Sequence, residues 1–349
     1  MPNAPRGLAR RTLSSLSAYL RRTPGYAVLM YHRIADDIQD PWDLCVSPDN
    51  FRAQILWMKA QGLRFSTVAD LVQRIEQGKD ARQRVAISFD DGYADNYLSA
   101  YPILSELDIP ATFFVASGYV ESGREFWWDA IERLFIHPGQ LPATVELSPS
   151  TEPLLLHLAG ATDYSETESW IHRHWRWDDP APTARHEAMK QAWHHLFRLS
   201  PARRDAALVE LLENAGRAEG VIPSRRAMTP VELRALASDQ RMEIGAHTIS
   251  HPNLTVLDRA AQTEELGGSR RALEALTGRE VRGLAYPNGC YDSEILDLMV
   301  EAKFRYGCRN CGSGRNAGLF ELPRFIVKNA HGGALSPDVH WHAGLKIQG

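Results

Sequence analysis

Two short segments carry side chains that could do chemistry together: Ser88-Phe89-Asp90-Asp91-Gly92 and His247-Thr248-Ile249-Ser250-His251-Pro252. The first sets two adjacent carboxylates after an apolar run, Val85-Ala86-Ile87, that reads as a buried strand ending in a glycine turn. The second sets two imidazoles four residues apart after another strand-like run, Met242-Glu243-Ile244-Gly245-Ala246. Two imidazoles and one carboxylate can hold a divalent ion and leave a position open for water. A second carboxylate is then free to act as a base. This is the equipment of a metal-dependent hydrolase. Neither segment suffices alone, because Asp-Asp-Gly turns without chemistry are common and many His-x3-His pairs sit on surfaces. Successive strand side chains point to opposite faces, so both carboxylates reach one site only if the turn at Gly92 redirects them. Paired charges at that place need a cation to offset them.

The elements that would position these groups alternate along the chain. Ala27-Val28-Leu29-Met30-Tyr31 reads as a strand, and Ser47-Pro48-Asp49-Asn50 opens a helix carrying Phe51, Ile55, Met58 and Leu63. Thr67 caps a helix over Val68 to Gln77, followed by strand Val85 to Phe89, helix Tyr93 to Leu107 and strand Ala111 to Val115. The rhythm resumes at Thr229, a candidate N-cap before an N1 proline, Pro230. Strand Met242 to Ala246, helix Asp258 to Leu276, strand Val281 to Ala285 and helix Ser293 to Ala302 follow. Such alternation predicts a parallel sheet or barrel with function at the C-terminal ends of the strands. Residues 121–227 break it and hold six of the nine tryptophans and seven of the thirteen histidines. They read as a mainly helical insertion on the catalytic face.

Composition narrows the class. A hydrophobic fraction of 44% with 23% charged residues suits a globular core, and a net charge of -4 gives no case for nucleic-acid binding. Of four cysteines only Cys308-Arg309-Asn310-Cys311 has metal-like spacing, and with no second pair it reads as two incidental thiols. No apolar stretch follows the arginines of residues 1–24, so the expectation is a cytoplasmic chain without a signal peptide. Leu13, Leu16 and Leu20 among Arg10, Arg11, Arg21 and Arg22 make that segment amphipathic, either a surface helix or a weak anchor on the inner membrane face.

The third motif, Gly283-Leu284-Ala285-Tyr286-Pro287-Asn288-Gly289, reads as a strand ending in a tight turn whose backbone N–H groups can face a ligand. With the first two motifs, in this order, it resembles the polysaccharide deacetylase family, the NodB-homology carbohydrate esterases. The resemblance covers roughly residues 26–120 and 228–327. It implies a distorted (β/α)7-type, TIM-like barrel, α/β in class, that binds Zn²⁺ or a similar ion, Co²⁺ and Ni²⁺ included. Asp91, His247 and His251 would then be metal ligands, Asp90 the general base, and the Asn288 N–H an oxyanion donor. The family's third motif has an arginine where this chain has Ala285; Arg324 is the candidate to replace it, with a surface arginine as the competing reading. The general acid falls to His32, in Tyr31-His32-Arg33 at the end of the first strand, with His331 as the fallback. Tyr286, Trp127 and Trp128 are candidate sugar contacts, although clustered tryptophan also suits a core.

The expected organisation is a basic N-terminal segment (1–24), a barrel (25–120 and 228–330), an insertion (121–227) and a loose tail (331–349). The expected reaction is hydrolysis of the acetamide of an N-acetylated amino sugar, in surface-polysaccharide biosynthesis. A hydrolase of non-sugar or cyclic amides is the alternative within enzymes, and a catalytically dead carbohydrate-binding protein the alternative outside them.

Overall fold

The computed structural model describes residues 25–36, 39–147, 154–218, 220–310 and 318–331. The amphipathic segment 1–24 and the tail beyond His331 lie outside the described residues. Among the described residues, no helix is long and apolar enough to cross a membrane.

Nine parallel strands form the main sheet: β1 (Tyr26–Tyr31), β2 (Arg64–Ser66), β3 (Arg84–Phe89), β4 (Ala111–Val115), β5 (Met242–Ala246), β6 (Gly283–Ala285), β7 (Tyr306–Arg309), β8 (Leu322–Pro323) and β9 (Phe325–Ile326). Their order is β8-β7-β6-β5-β4-β3-β1-β9, with β2 beside β3. β8 and β9 end that order on opposite sides, yet only Arg324 separates them in the chain. One extended segment therefore pairs with β7 through its first half and with β1 through its second. This brings the sheet nearly to closure as a barrel. With β8 and β9 counted as one stave and β2 as a short extra, the staves are β1, β3, β4, β5, β6, β7 and β8–β9, the distorted (β/α)7 form expected from the sequence.

The wall follows the two-residue period of a strand. Ala27, Leu29 and Tyr31 of β1 pack with helix residues Phe51 and Ile55, whereas Val28 joins Ala86, Phe114, Ala285, Tyr306 and Cys308 in a second cluster. Around the sheet lie α1 (Pro48–Ala60), α2 (Val68–Glu76), α3 (Tyr101–Glu106), α4 (Ser117–Ser122), α5 (Trp127–Ile136), α6 (Glu166–His172), α7 (Ala184–Leu196), α8 (Pro201–Asn214), α9 (Pro230–Ser238), α10 (Arg259–Thr277) and α11 (Ser293–Glu301). Ser47, Thr67, Thr229 and Asp258 cap α1, α2, α9 and α10, each accepting the N–H three residues on. Losing one such cap costs about 1 kcal/mol.

Two features differ from the sequence expectation. The helix expected from Tyr93 starts with a wide turn at Asn96–Ala100, closed by the Tyr101 N–H on the Asn96 carbonyl. Pro102 follows and has no N–H for the ordinary i−4 bond, which accounts for the wider turn. Residues 121–227 hold α5 to α8 and, in addition, two short antiparallel pairs, Gly139–Gln140 with Asp163–Tyr164 and Thr144–Leu147 with Leu154–His157. They share a core of their own, including Phe126, Phe135, Leu156, Met189 and Leu211. It reaches the barrel through Tyr93, Ala116 and Tyr119.

Candidate active site

The candidate catalytic groups all leave the C-terminal ends of strands, and the ladder hydrogen bonds set their places. The Asp90 N–H donates to the Tyr31 carbonyl (3.0 Å) and the His247 N–H to the Val115 carbonyl (2.9 Å), so both residues continue the sheet by one step. Asp90 thus keeps the register of inward-facing Ser88, and both are hydrogen-bonded by Arg324. On a regular strand Asp91 would face away. Its φ of 70° turns the chain instead, and a left-handed non-glycine residue costs about 1–3 kcal/mol. Gly92 completes the turn at φ +89°, where a Cβ would approach the Val115 side chain to 2.9 Å.

The turn sets Asp91 Oδ1 3.4 Å from His247 Nε2 and 3.4 Å from His251 Nε2. The three buried donor groups lie within 4.8 Å of one another. A tetrahedral ion with bonds of about 2.1 Å holds neighbouring donors about 3.4 Å apart. His247 Nδ1 lies 2.8 Å from the Ala285 carbonyl, which takes its proton and leaves the Nε2 lone pair toward Asp91. Asp91 Oδ1 is buried and has no hydrogen-bond partner among the described residues. A buried carboxylate oxygen without a donor, facing two imidazole nitrogens, fits a cation. Burial works against the Asp91 charge, but the facing His247 holds its carboxyl well below the ordinary range. Burial pushes the His251 imidazole down to about 3, so it is neutral and able to ligate.

Asp90 is held differently. Arg324 Nη1 donates to Oδ1 (2.6 Å) and Nη2 to Oδ2 (2.7 Å), a bidentate pair closed to water. The same guanidinium donates to Asn310 Oδ1 at 2.8 Å. Burial raises the Asp90 pKa, and Arg324 with His247 overcomes that, keeping it ionised. The arginine that closes the barrel therefore also fixes and charges the carboxylate that stands outside the metal-type cluster.

The family described as polysaccharide deacetylase matches residues 77–141 and 201–307, the stretches that contain Asp90, Asp91, His247 and His251. The chain belongs to the polysaccharide deacetylase family. Among curated relatives, the poly-beta-1,6-N-acetyl-D-glucosamine N-deacetylase of Staphylococcus aureus is 39% identical over 75 residues, 22% of this chain. That of Staphylococcus epidermidis is 35% identical over 77 residues. The match spans about a quarter of the relatives' length, 26% and 27%. Among solved structures, a polysaccharide deacetylase from Bacillus cereus superposes with a TM-score of 0.51 at 16% identity, over 92% of this chain and 69% of that one. A de-N-acetylase from Aggregatibacter actinomycetemcomitans gives 0.52 at 15% identity, over 88% and 97%. At these identities the likeness is one of fold.

The remaining family positions are placed unequally. His32 keeps the inward register of Val28 and Met30, and its Nε2 lies 4.0 Å from Asp90 Oδ2. Burial lowers its pKa, the nearby carboxylates opposing. His331, the fallback acid, is exposed at the end of the described chain. Asn288 is exposed at a turn with φ 54°, directly after the strand whose Ala285 carbonyl holds His247. Tyr286 is not brought to the site. By strand alternation it turns outward from Ala285; it is fully buried, stacks on Tyr291 at 4.5 Å and donates to the Phe320 carbonyl (2.8 Å). The two tryptophans part company. Trp127 is buried against Trp193 and beneath Arg204, in packing contacts of the core kind. Trp128 sets its ring 4.5 Å from that of His251 and donates to the Tyr93 hydroxyl (2.7 Å), which donates to Asp129 (2.8 Å). Cys308 is buried in β7 and Cys311 lies outside the described residues. Asn310, Glu265 and Arg204 support the site without a sequence signal; each acts across 14 or more residues on a segment it does not adjoin.

Proposed function

We propose that this protein is a divalent-metal-dependent N-deacetylase that hydrolyses the acetamide of an N-acetylated amino sugar, in a saccharide or glycolipid of a surface polysaccharide. The observation that carries this reading is the division of labour between two adjacent carboxylates: Asp91 faces two imidazoles, and Asp90 stands beside them on its own arginine. The names of the Staphylococcus relatives favour polymers of N-acetylglucosamine as the substrate class. The bidentate Arg324–Asp90 pair supports the enzyme over a catalytically dead reading, which rested on the missing arginine at Ala285.

Asp91, His247 and His251 would hold the ion, zinc fitting two nitrogens and one oxygen well. When bound, it would polarise the acetamide carbonyl and make water acidic enough to react near neutral pH. Asp90, ionised and fixed by Arg324, takes the proton from the attacking water. His32, facing Asp90 Oδ2 across 4.0 Å, takes over the proton that Asp90 received and delivers it to the departing amine, which returns both side chains to their resting states. The Asn288 N–H donates to the developing oxyanion, a contribution of about 3 kcal/mol for a donor of this kind.

The test is acetate release from β-1,6- and β-1,4-linked N-acetylglucosamine oligomers and from a panel of linear and cyclic amides, with protein loaded with zinc, cobalt or nickel. Metal-dependent release from a sugar oligomer is expected. Turnover of the cyclic amides alone would replace the sugar reading. Oligomer binding without turnover, metal present, would restore the binding-protein reading.

A further inference from the structure

We propose that Arg204, on α8, is a positioning residue for the metal ligand His251, so that residues 121–227 set how tightly the site holds its ion. The inference rests on the reading of Asp91, His247 and His251 as metal ligands.

The two histidines are held in different ways. His247 has a fixed ring, because its Nδ1 bonds the Ala285 carbonyl at 2.8 Å. His251 Nδ1 is buried and has no such partner among the described residues, although a ligating histidine normally donates its second ring N–H to an orienting acceptor. The orientation of His251 must then come from its backbone and from what packs on its ring.

That backbone needs holding. Thr248 and His251 both have left-handed φ, 64° and 54°. Glu265 on α10 satisfies the donors, accepting from the Ile249 and Ser250 N–H groups (2.8 and 3.0 Å) and the Ser250 hydroxyl (2.6 Å). The carbonyls of Thr248 and Ile249 accept from the start of α4, the Ser117 and Gly118 N–H groups, at 3.1 and 2.9 Å. Among the described residues, the last two carbonyls depend on α8. Arg204 Nη2 donates to the Ser250 carbonyl (3.0 Å) and Nη1 to that of His251 (3.2 Å).

Arg204 is itself fixed. It is 2% exposed, pairs with Asp205 at 3.2 Å and lies 5.4 Å over the Trp127 ring. Trp128, next along α5, packs against the His251 ring. α8 thus grips His251 by its backbone and α5 by its ring, each through one side chain. A lysine could reach one carbonyl but lacks the planar fork that spans two.

The test uses the full-length protein and its Arg204→Met, Arg204→Lys and Asp205→Asn variants. Zinc affinity is measured by competition with a chromophoric chelator, and coordination by the visible spectrum of the cobalt-loaded protein. Thermal unfolding checks the fold. Arg204→Met should bind zinc about tenfold or more weakly, with an altered cobalt spectrum, and Arg204→Lys should fall between it and the parent. Asp205→Asn perturbs the same ion pair but keeps both bonds to the loop, so it should stay within about twofold of the parent, well short of the cost of losing a support to a ligand. Parent-like affinity and spectrum in Arg204→Met overturn the proposal, as does an equal loss in Asp205→Asn, which would mean a general loosening of α8. If Arg204→Met does not fold, parent-like zinc binding by Arg204→Lys overturns it instead. A parent that binds no zinc defeats the ligand assignment itself, and an active parent with unaffected variants defeats only the role of Arg204.

Discussion

The two ends of the barrel both bury carboxylates and treat them in opposite ways, even along one strand. Near the start of β5, Glu243 accepts from the Tyr306 hydroxyl (2.6 Å), the Thr112 hydroxyl (2.7 Å) and the Ala69 N–H at the start of α2 (3.0 Å). These donors are neutral groups, and burial pushes its pKa up. Past the other end of β5, His247 faces Asp91, whose Oδ1 has no donor among the described residues, and Asp90 is held by a full positive charge. Both of these carboxyls are held below the ordinary range. Burial is common to all three, so burial does not mark the site. What marks it is hydrogen bonding left unfinished, or completed by charge, at the end where parallel strands deliver their loops.

The sharpest way to break this contrast is Asp90→Asn. The amide keeps the shape but cannot take a proton, so kcat should fall about a hundredfold to ten-thousandfold, with metal content unchanged. Acetate release near the parental rate would remove Asp90 from the role of base. Arg324→Met comes next. It leaves a buried carboxylate unpaired, and such losses cost about 3–5 kcal/mol. The unfolding midpoint should drop and activity with it, and Arg324→Lys should restore part of each. Full stability in Arg324→Met would mean that the barrel closes without this pair.

The same contrast explains what the sequence made legible. Asp90, Asp91, His247 and His251 sit in contiguous motifs after recognisable strands, so local pattern sufficed to gather them. The turn that brings Asp91 to the side of Asp90 was also foreseeable, because Gly92 follows immediately. Arg324 could be nominated only as a stand-in for the arginine that the family resemblance implies at Ala285: it acts 234 residues from Asp90 and depends on how β8 and β9 share one segment. Tyr286 was misplaced because motif membership suggested the mouth, while alternation after Ala285 sends it outward. Glu243 looked like one more strand residue, and its partners Thr112 and Tyr306 lie 131 and 63 residues away. Local pattern finds groups that share a motif; pairs formed by barrel closure or across distant helices appear only in the folded chain.

The closed end gives the smallest and most specific effect. Glu243→Gln keeps the volume but offers one acceptor oxygen where three donors converge, and its amide N–H groups would meet donors. A mismatch of this kind costs about 1–3 kcal/mol of stability, and kcat should not change, because the residue lies at the end of β5 opposite to Asp90 and Asp91. Its pH signature is opposite to that of a paired carboxylate. The folded pKa lies above the ordinary 4.5, so between the two values the folded chain holds a proton that the unfolded chain has released. Stability supplied by this group is therefore complete below the ordinary value and declines as pH rises toward the folded one. Denaturant midpoints of metal-free parent and Glu243→Gln, measured from acid to neutral pH, should show a gap that is widest at low pH and narrows as pH rises. A constant gap would mean that Glu243 titrates alike in both states, and that the two ends of the barrel differ less in their electrostatics than in their geometry.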